Sequence, residues 1–160
     1  MKIGFYAGSF DPFTNGHLHV LKKSLQLFDS VIIGIGTNPE KIRRFDKKIM
    51  KEAIENLITD QQLSNVSVIT YDGLSVDAAI EHNATFLVRG IRNGMDYAEE
   101  ENLAAVNEEI CNLDTIYIRA GHLGTISSSM VMSLLQSGRD VSSYLPKEIL
   151  EVVKKDFRAF

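Results

Sequence analysis

The stretch Ser30-Val31-Ile32-Ile33-Gly34-Ile35-Gly36 is a nearly unbroken apolar, β-branched run with no polar alternation. A strand of that kind has no solvent face, and such runs belong to parallel strands covered by helices on both sides. Four other segments fit the same plan: Ile3-Gly4-Phe5-Tyr6, Val66 to Thr70, Thr85-Phe86-Leu87-Val88 and Thr115-Ile116-Tyr117-Ile118. Between them apolar residues recur at helical spacing. The repeats are Leu18, Leu21, Leu25, Phe28 and then Met50, Ile54, Leu57, Ile58. Ser75 to His82 reads as a short helix capped by Ser75, and an acidic helix from about Asp96 to Glu109 is expected to bury Leu103, Val106 and Ile110. A helix opening with Ser127-Ser128-Ser129 should end before Gly138, a suitable residue past a helix C-terminus. Pro146 suits the first turn of a last helix with Ile149, Val152 and Val153 on its apolar side. Five strands alternating with helices predict an α/β chain with a doubly wound five-stranded parallel sheet, residues 1–160 forming a single domain.

Charge and cysteine content narrow the function. A formal net charge of −4 argues against nucleic acid as a partner, which favours a basic footprint. The lone Cys111 excludes an intrachain disulfide and a Cys-rich metal site, and is expected to be a buried structural thiol. His17 and His19, two apart on a helix, do not face each other, so no residue is assigned as a metal ligand. Met1-Lys2-Ile3-Gly4 leads straight into a core strand rather than a signal peptide. No apolar run approaches the ~20 residues of a membrane span. A cytoplasmic protein without a membrane or nucleic-acid partner is expected. There is no G-x-x-x-x-G-K-[ST], and Gly34-Ile35-Gly36 lacks the third spaced glycine of a dinucleotide fingerprint.

The unusual residues collect after strands, at the edge where ligands of open α/β sheets bind. Ala7 to His17 reads as strand, sharp loop, helix: Gly8 leaves the strand at a φ most residues avoid, Pro12 and Asn15-Gly16 turn, and His17 enters the first helical turn. That helix end, with unpaired N–H groups and the positive end of the dipole, suits a phosphate. Arg89 and Arg92 flank Gly90 and suit an anionic substrate. Ser127-Ser128-Ser129 offers hydroxyls and a second helix start. Lys41, Arg43 and Arg44 read as a solvated loop from which Lys41 reaches the crevice. Glu99-Glu100-Glu101 reads as a wet helical face with one member in nucleotide or metal contact.

Thr14-Asn15-Gly16-His17 after the first strand and Ile126-Ser127-Ser128-Ser129 late in the chain resemble the T-x-G-H and I-S-S-[ST] marks of the nucleotidyltransferase superfamily, with its Rossmann-like fold. Within it the chain is most similar to the bacterial phosphopantetheine adenylyltransferases. The details are Gly8 to His17, Asn38-Pro39-Glu40-Lys41, Arg89-Gly90-Ile91-Arg92-Asn93 and Asp140-Val141 ahead of Tyr144-Leu145-Pro146. The resemblance implies transfer of AMP from ATP to 4′-phosphopantetheine, giving dephospho-coenzyme A and pyrophosphate in the penultimate step of coenzyme A synthesis. It also implies Mg²⁺, a homohexamer and feedback inhibition by coenzyme A. By the same analogy His17 is catalytic, stabilising the transition state at the α-phosphate. Ser9, Phe10, His17, Gly90, Ile91, Arg92, Glu100 and Leu123-Gly124-Thr125-Ile126-Ser127-Ser128-Ser129 bind ATP, while Ser9, Lys41, Ser75 and Arg89 bind the acceptor.

Three stretches depart from the family pattern. His122 to Thr125 lacks the aromatic common before the serine triplet, Met132-Ser133 replaces a basic–acidic pair, and Arg43-Arg44 stand where the family is less basic. The alternatives are a sister transferase, acting on nicotinate mononucleotide or using CTP, and a non-catalytic nucleotide-binding module. Cytidylyltransferases carry R-T-x-G-I-S, and no Arg-Thr pair precedes Ile126 here.

Overall fold

Strand β1 (Ile3–Gly8) runs through the centre of a five-stranded sheet. On one side of it lie β2 (Ser30–Ile35) and β3 (Val66–Thr70), and on the other β4 (Phe86–Ile91) and β5 (Thr115–Arg119). The order is β3-β2-β1-β4-β5 and every pairing is parallel. The fold is thus the doubly wound α/β arrangement expected, with its switch point between β1 and β4. The structure is a computed structural model that describes the chain apart from residues 38, 40 and 157–160, and apart from the side chains of residues 95, 96 and 99. Asn38 and Glu40 of the family segment, and the side chain of Glu99, therefore lie outside the described residues.

Six α-helices cover the sheet among the described residues: α1 (Asn15–Ser24), α2 (Lys47–Asp60), α3 (Ser75–Glu81), α4 (Gly94–Cys111), α5 (Ser128–Gln136) and α6 (Lys147–Asp156). The larger core cluster joins α1, α2, α5 and α6 to one face of the sheet through Leu21, Ile54, Leu57, Val131 and Ile149. The smaller one, around Phe5, Ala7, Val76, Ala79 and Leu87, lies on the other face under α3. β1 divides its residues between the two, Phe5 and Ala7 to one and Tyr6 to the other, as a period of two requires. At the end of α5, Gly138 adopts φ 78°, Arg139 N–H donates to Leu134 O at 2.9 Å and Gly138 N–H to Leu135 O at 3.0 Å. That is the glycine-terminated helix end read from the sequence.

Several local expectations are corrected. Ser75 is the first helical residue of α3 rather than its cap; Leu74 precedes it and makes no side-chain capping bond. Asn15 and Gly16 are not a turn but the first two residues of α1, and Phe28 lies beyond that helix. The left-handed φ falls on Phe10, at 46°, and not on Gly8. Gly8 is small for another reason: a Cβ there would sit 3.0 Å from the Phe10 ring. Cys111 is half-buried against the smaller core rather than enclosed.

Helix α4 has the expected period but another phase. Its sheet side carries Ala104 and Asn107, both buried, in line with the half-buried Glu100 and Cys111. Leu103, Val106 and Ile110, one position round, are 50%, 49% and 64% exposed. Glu100 explains the phase, because its carboxylate meets the Arg89 guanidinium of β4 at 2.7 Å and turns that stripe inward.

The sheet interior tolerates no added volume at β2. A Cβ on Gly34 would lie 2.3 Å from Phe5 Cζ and 3.1 Å from Tyr71 Cε1. Gly34→Ala is expected to cost about 1–3 kcal/mol of stability in a denaturant titration. Gly94→Ala, where a Cβ meets nothing within 4 Å, should stay within about 0.5 kcal/mol.

Candidate active site

A cleft of about 250 Å³ opens at the carboxyl edge of the sheet, over the β1/β4 switch point. Residues 6–10 leaving β1, the start of α1, Arg89, Gly90 and Arg92 at the end of β4, and residues 126–128 entering α5 reach it. Glu100 of α4 and Ala120 after β5 complete the lining. Close backbone approach brings them together. A Cβ on Gly16 would lie 3.6 Å from Ile126 O, so the start of α1 rests against the strand-to-α5 connection. A Cβ on Gly90 would lie 3.0 Å from Val20 Cγ2, so the end of β4 rests against α1. The two helix N-termini then face one space, each with N–H groups beyond its own ladder and a mildly positive end.

His17 sits in this cleft with one ring nitrogen already committed. Thr14 is the N-cap of α1, and a capping box closes between Thr14 and His17. Thr14 N–H donates to His17 Nδ1 at 2.9 Å while His17 N–H donates to Thr14 Oγ1 at 3.3 Å. A backbone amide can only donate, so Nδ1 carries no proton and the ring holds its hydrogen on Nε2. Phe10 and Phe13 pack on the ring with centroids at 4.9 and 5.4 Å. Burial, with Arg89 and Arg92 adding repulsion, pulls the His17 pKa down to about 3. The imidazole is a neutral, aimed N–H donor.

The cations are positioned as firmly. Arg89 donates from Nη1 to Ala7 O at 2.8 Å and from Nη2 to Glu100 Oε1 at 2.7 Å. Ser127 caps α5 by accepting from Met130 N–H at 3.1 Å, and Ser128 Oγ donates to Pro12 O at 2.7 Å, tying α5 to the β1 loop. Tyr6, on the cleft floor, is held protonated, since burial pushes its pKa up against the pull of Arg89.

The structure brings ten of the expected site residues into this cleft: Ser9, Phe10, His17, Arg89, Gly90, Arg92, Glu100, Ile126, Ser127 and Ser128. Lys41 and Ser129 line an adjoining pocket of about 150 Å³, and Ser75 lines a crevice on the opposite face beside Arg89 and Glu100. Ile91, Leu123, Gly124 and Thr125 do not line the cleft. Leu123 packs on the larger core instead, and a Cβ on Gly124 would lie 3.6 Å from Arg92 O, so these two shape the wall from behind. Arg44 is exposed as expected and Arg43 only half-buried, but both are bonded to the β1 loop. Arg43 Nη1 donates to Ser9 O, Arg44 Nη1 to Asp11 O at 2.8 Å, and the Asp11 carboxylate accepts from Arg44 N–H at 2.7 Å and Phe45 N–H at 2.9 Å.

Thr14, Tyr6 and Val20, which also line the cleft, carry no site role in the sequence reading. The Thr14 signal was present in T-x-G-H as an N-cap three residues before the histidine. A tyrosine on a strand covered on both faces signals a hydroxyl in need of a polar edge. Val20 carried no signal beyond its helical spacing.

His17 is expected to show no protonation step between pH 5 and 8 when its ring nitrogens are followed by NMR, with the hydrogen on Nε2 throughout. A midpoint near 6.5 would overturn the assignment. The unfolded chain takes up this proton at about pH 6.5, whereas the folded site does so only near 3. The associated stability is therefore complete above about pH 6.5 and is lost as the pH falls towards 3.

Comparison with known proteins identifies the family. The cytidylyltransferase-like family matches residues 5–134. The phosphopantetheine adenylyltransferase of Allorhizobium ampelinum is 40% identical over 159 residues, covering 96% of this chain and 97% of its own. That of Porphyromonas gingivalis is 43% identical over 147 residues, covering 91% and 95%. That of Brucella ovis is 37% identical over 164 residues, covering 99% and 100%. A solved structure from Vibrio parahaemolyticus, described as "a Putative Nicotinate-nucleotide Adenylyltransferase", superposes with a TM-score of 0.66 at 21% identity, covering 97% of this chain and 93% of that one, a likeness of fold alone. With relatives this similar over nearly its whole length, the chain belongs to the phosphopantetheine adenylyltransferase family of the cytidylyltransferase-like proteins.

Proposed function

We propose that the chain transfers AMP from ATP to 4′-phosphopantetheine, releasing pyrophosphate and dephospho-coenzyme A. The observation that carries this reading is the neutral His17 donor set between two helix N-termini and two guanidiniums in one cleft. An oxygen of the acceptor phosphate attacks the α-phosphorus, a P–O bond forms, and the bond to the bridging oxygen breaks with its electron pair leaving on pyrophosphate. No proton need move and no protein nucleophile is required, so the gain comes from alignment and charge stabilisation. His17 Nε2–H donates to the α-phosphate as charge builds there, while Arg89 and Arg92 balance the anions. Because Nδ1 is occupied, His17 acts as a donor and not as a base.

The family relation supports the finer parts of the proposal. Among the described residues no group of three or more His, Cys, Asp or Glu could hold a metal ion. Mg²⁺, which the family relation implies, would enter with the nucleotide and supply charge neutralisation at its phosphates beside Arg89 and Arg92. Coenzyme A, which contains the whole body of the product, would occupy the same cleft and inhibit. The protein acts in the cytoplasm as a homohexamer. The exposed stripe Leu103, Val106 and Ile110 on α4 is the surface that assembly would cover. Val106→Glu is expected to lower the assembled mass in sedimentation while leaving the far-UV spectrum unchanged.

Pyrophosphate release should require ATP, Mg²⁺ and 4′-phosphopantetheine together. Nicotinate mononucleotide with ATP, and CTP with glycerol 3-phosphate, should give none. Release only with one of those pairs would replace the substrate; ATP binding without any release would make the chain a binding module. His17→Ala is expected to lower kcat by about 10²–10³, with a loss of about 1 kcal/mol of stability from the broken capping box. Unchanged turnover would remove His17 from the mechanism.

A further inference from the structure

Two of the four histidines take no part in the chemistry above and lie against each other. His19 is half-buried on α1, two residues past His17, and His122 is exposed in the short turn Gly121–Leu123 that follows β5. Their ring centroids are 5.8 Å apart, with the planes at 80°. A Cβ on Gly121 would lie 3.6 Å from His19 Nε2, so that nitrogen faces the turn that carries His122. Among the described residues, the hydrogen bonds of imidazole nitrogens belong to the other two histidines. His17 Nδ1 accepts from Thr14 N–H, and His82 Nδ1 lies 2.9 Å from Ala78 O. Burial, then His122 and Lys23, hold the His19 pKa below the usual imidazole value, which leaves a lone pair open near neutral pH. Lys23 is exposed, so water and salt screen its charge.

We propose that His19 and His122 form a binding site for a divalent transition ion of the zinc, nickel or copper class, with water completing its coordination. Neutral imidazole suits these ions. At ~2.1 Å for each metal–nitrogen bond, two imidazoles that share one ion have centroids about 5–6 Å apart. The observed spacing is already of that size, and the exposed His122 ring can turn a nitrogen towards His19. His17 and His19 cannot chelate as a pair, because residues two apart on a helix face different ways. The second ligand comes instead from across the fold. An ion here would tie α1 to the connection between β5 and α5. Those segments wall the cleft, through Gly16, His17 and Val20 on one side and Ala120 and Ile126 on the other. The site is a clamp on that wall, and it is distinct from any Mg²⁺ that accompanies a nucleotide, since Mg²⁺ prefers oxygen ligands. It stands whether or not the adenylyl-transfer reading does.

The test is a calorimetric titration of the whole protein with Zn²⁺ and with Ni²⁺, without nucleotide or chelator. Histidine ring signals are followed by NMR in parallel. Each ion is expected to bind once per chain and to raise the melting temperature, as a ligand held by the folded state alone must. Zn²⁺ should shift the ring signals of His19 and His122 together and leave those of His82 in place. Mg²⁺ at the same concentration should move neither. His19→Gln and His122→Gln are each expected to lose the binding, whereas His82→Gln keeps it. Binding that survives in both of the first two variants overturns the proposal, as does loss in only one of them, which would mean a lone imidazole. The ring shifts of the unaltered protein decide the matter even if a variant fails to fold: Zn²⁺ that leaves either His19 or His122 unmoved overturns the site.

Discussion

The central strands β1 and β2, with side chains buried on both faces, leave no place for charge along their length. A charged group inside such a sheet would lose its hydration without a partner, a cost that natural cores avoid by excluding it. Polar chemistry can therefore enter only where strands end, and the ends that matter are the carboxyl ones, where each chain turns into a helix. β1 sets the position of all the rest: it is paired on both sides, it splits its side chains between both cores, and the loop at its end is held by the 43–45 segment and by the start of α5. Arg43 holds that loop at Ser9, Arg44 and Phe45 hold it at Asp11, and Ser128 holds it at Pro12. The bonds are mostly to backbone, so apart from the Ser128 hydroxyl the loop is fixed by contacts that leave its own Ser9 side chain to the cleft.

The same economy governs His17. A histidine beside two arginines and two helix N-termini meets only reasons to lose its second proton. The Thr14 amide adds a geometric reason, because it occupies Nδ1 and assigns the remaining hydrogen to Nε2. The capping interaction that starts α1 thus also decides the tautomer of the residue it caps. Folding and function share one hydrogen bond here.

How much of this was legible in the sequence follows from which physical term decided each feature. The strands, their parallel pairing and the end of α5 at Gly138 depend on local pattern and backbone freedom, and both are written in the residues. The phase of α4 was not, since the apolar repeat Leu103, Val106, Ile110 competes with Glu100, Ala104, Asn107 for the sheet. What decides is a long-range ion pair to Arg89 that no helical spacing reveals. The bonding of Arg43 and Arg44 to the β1 loop was missed for a related reason. Charges after a strand are usually solvated, and only the tertiary fold shows that carbonyls of the β1 loop need donors there. The site residues from β1, α1, β4 and α5 were readable because the doubly wound topology itself brings strand ends together.

Phe10 shows how such a site holds an unfavourable conformation. A bulky residue at φ 46° carries a cost of about 1–3 kcal/mol. It persists because its ring is fixed on several sides: Tyr6 at 5.1 Å, Phe13 at 5.5 Å and His17 at 4.9 Å between centroids, with Gly8 beneath. The turn at Phe10 sends the ring inward and leaves Ser9, on the other side, exposed to the cleft. Glycine at this position would relieve the backbone but would lose the ring that confines the imidazole. The strain is thus tied to the packing that orients His17, and local sequence preference alone, which assigns the special φ to Gly8, could not have found it.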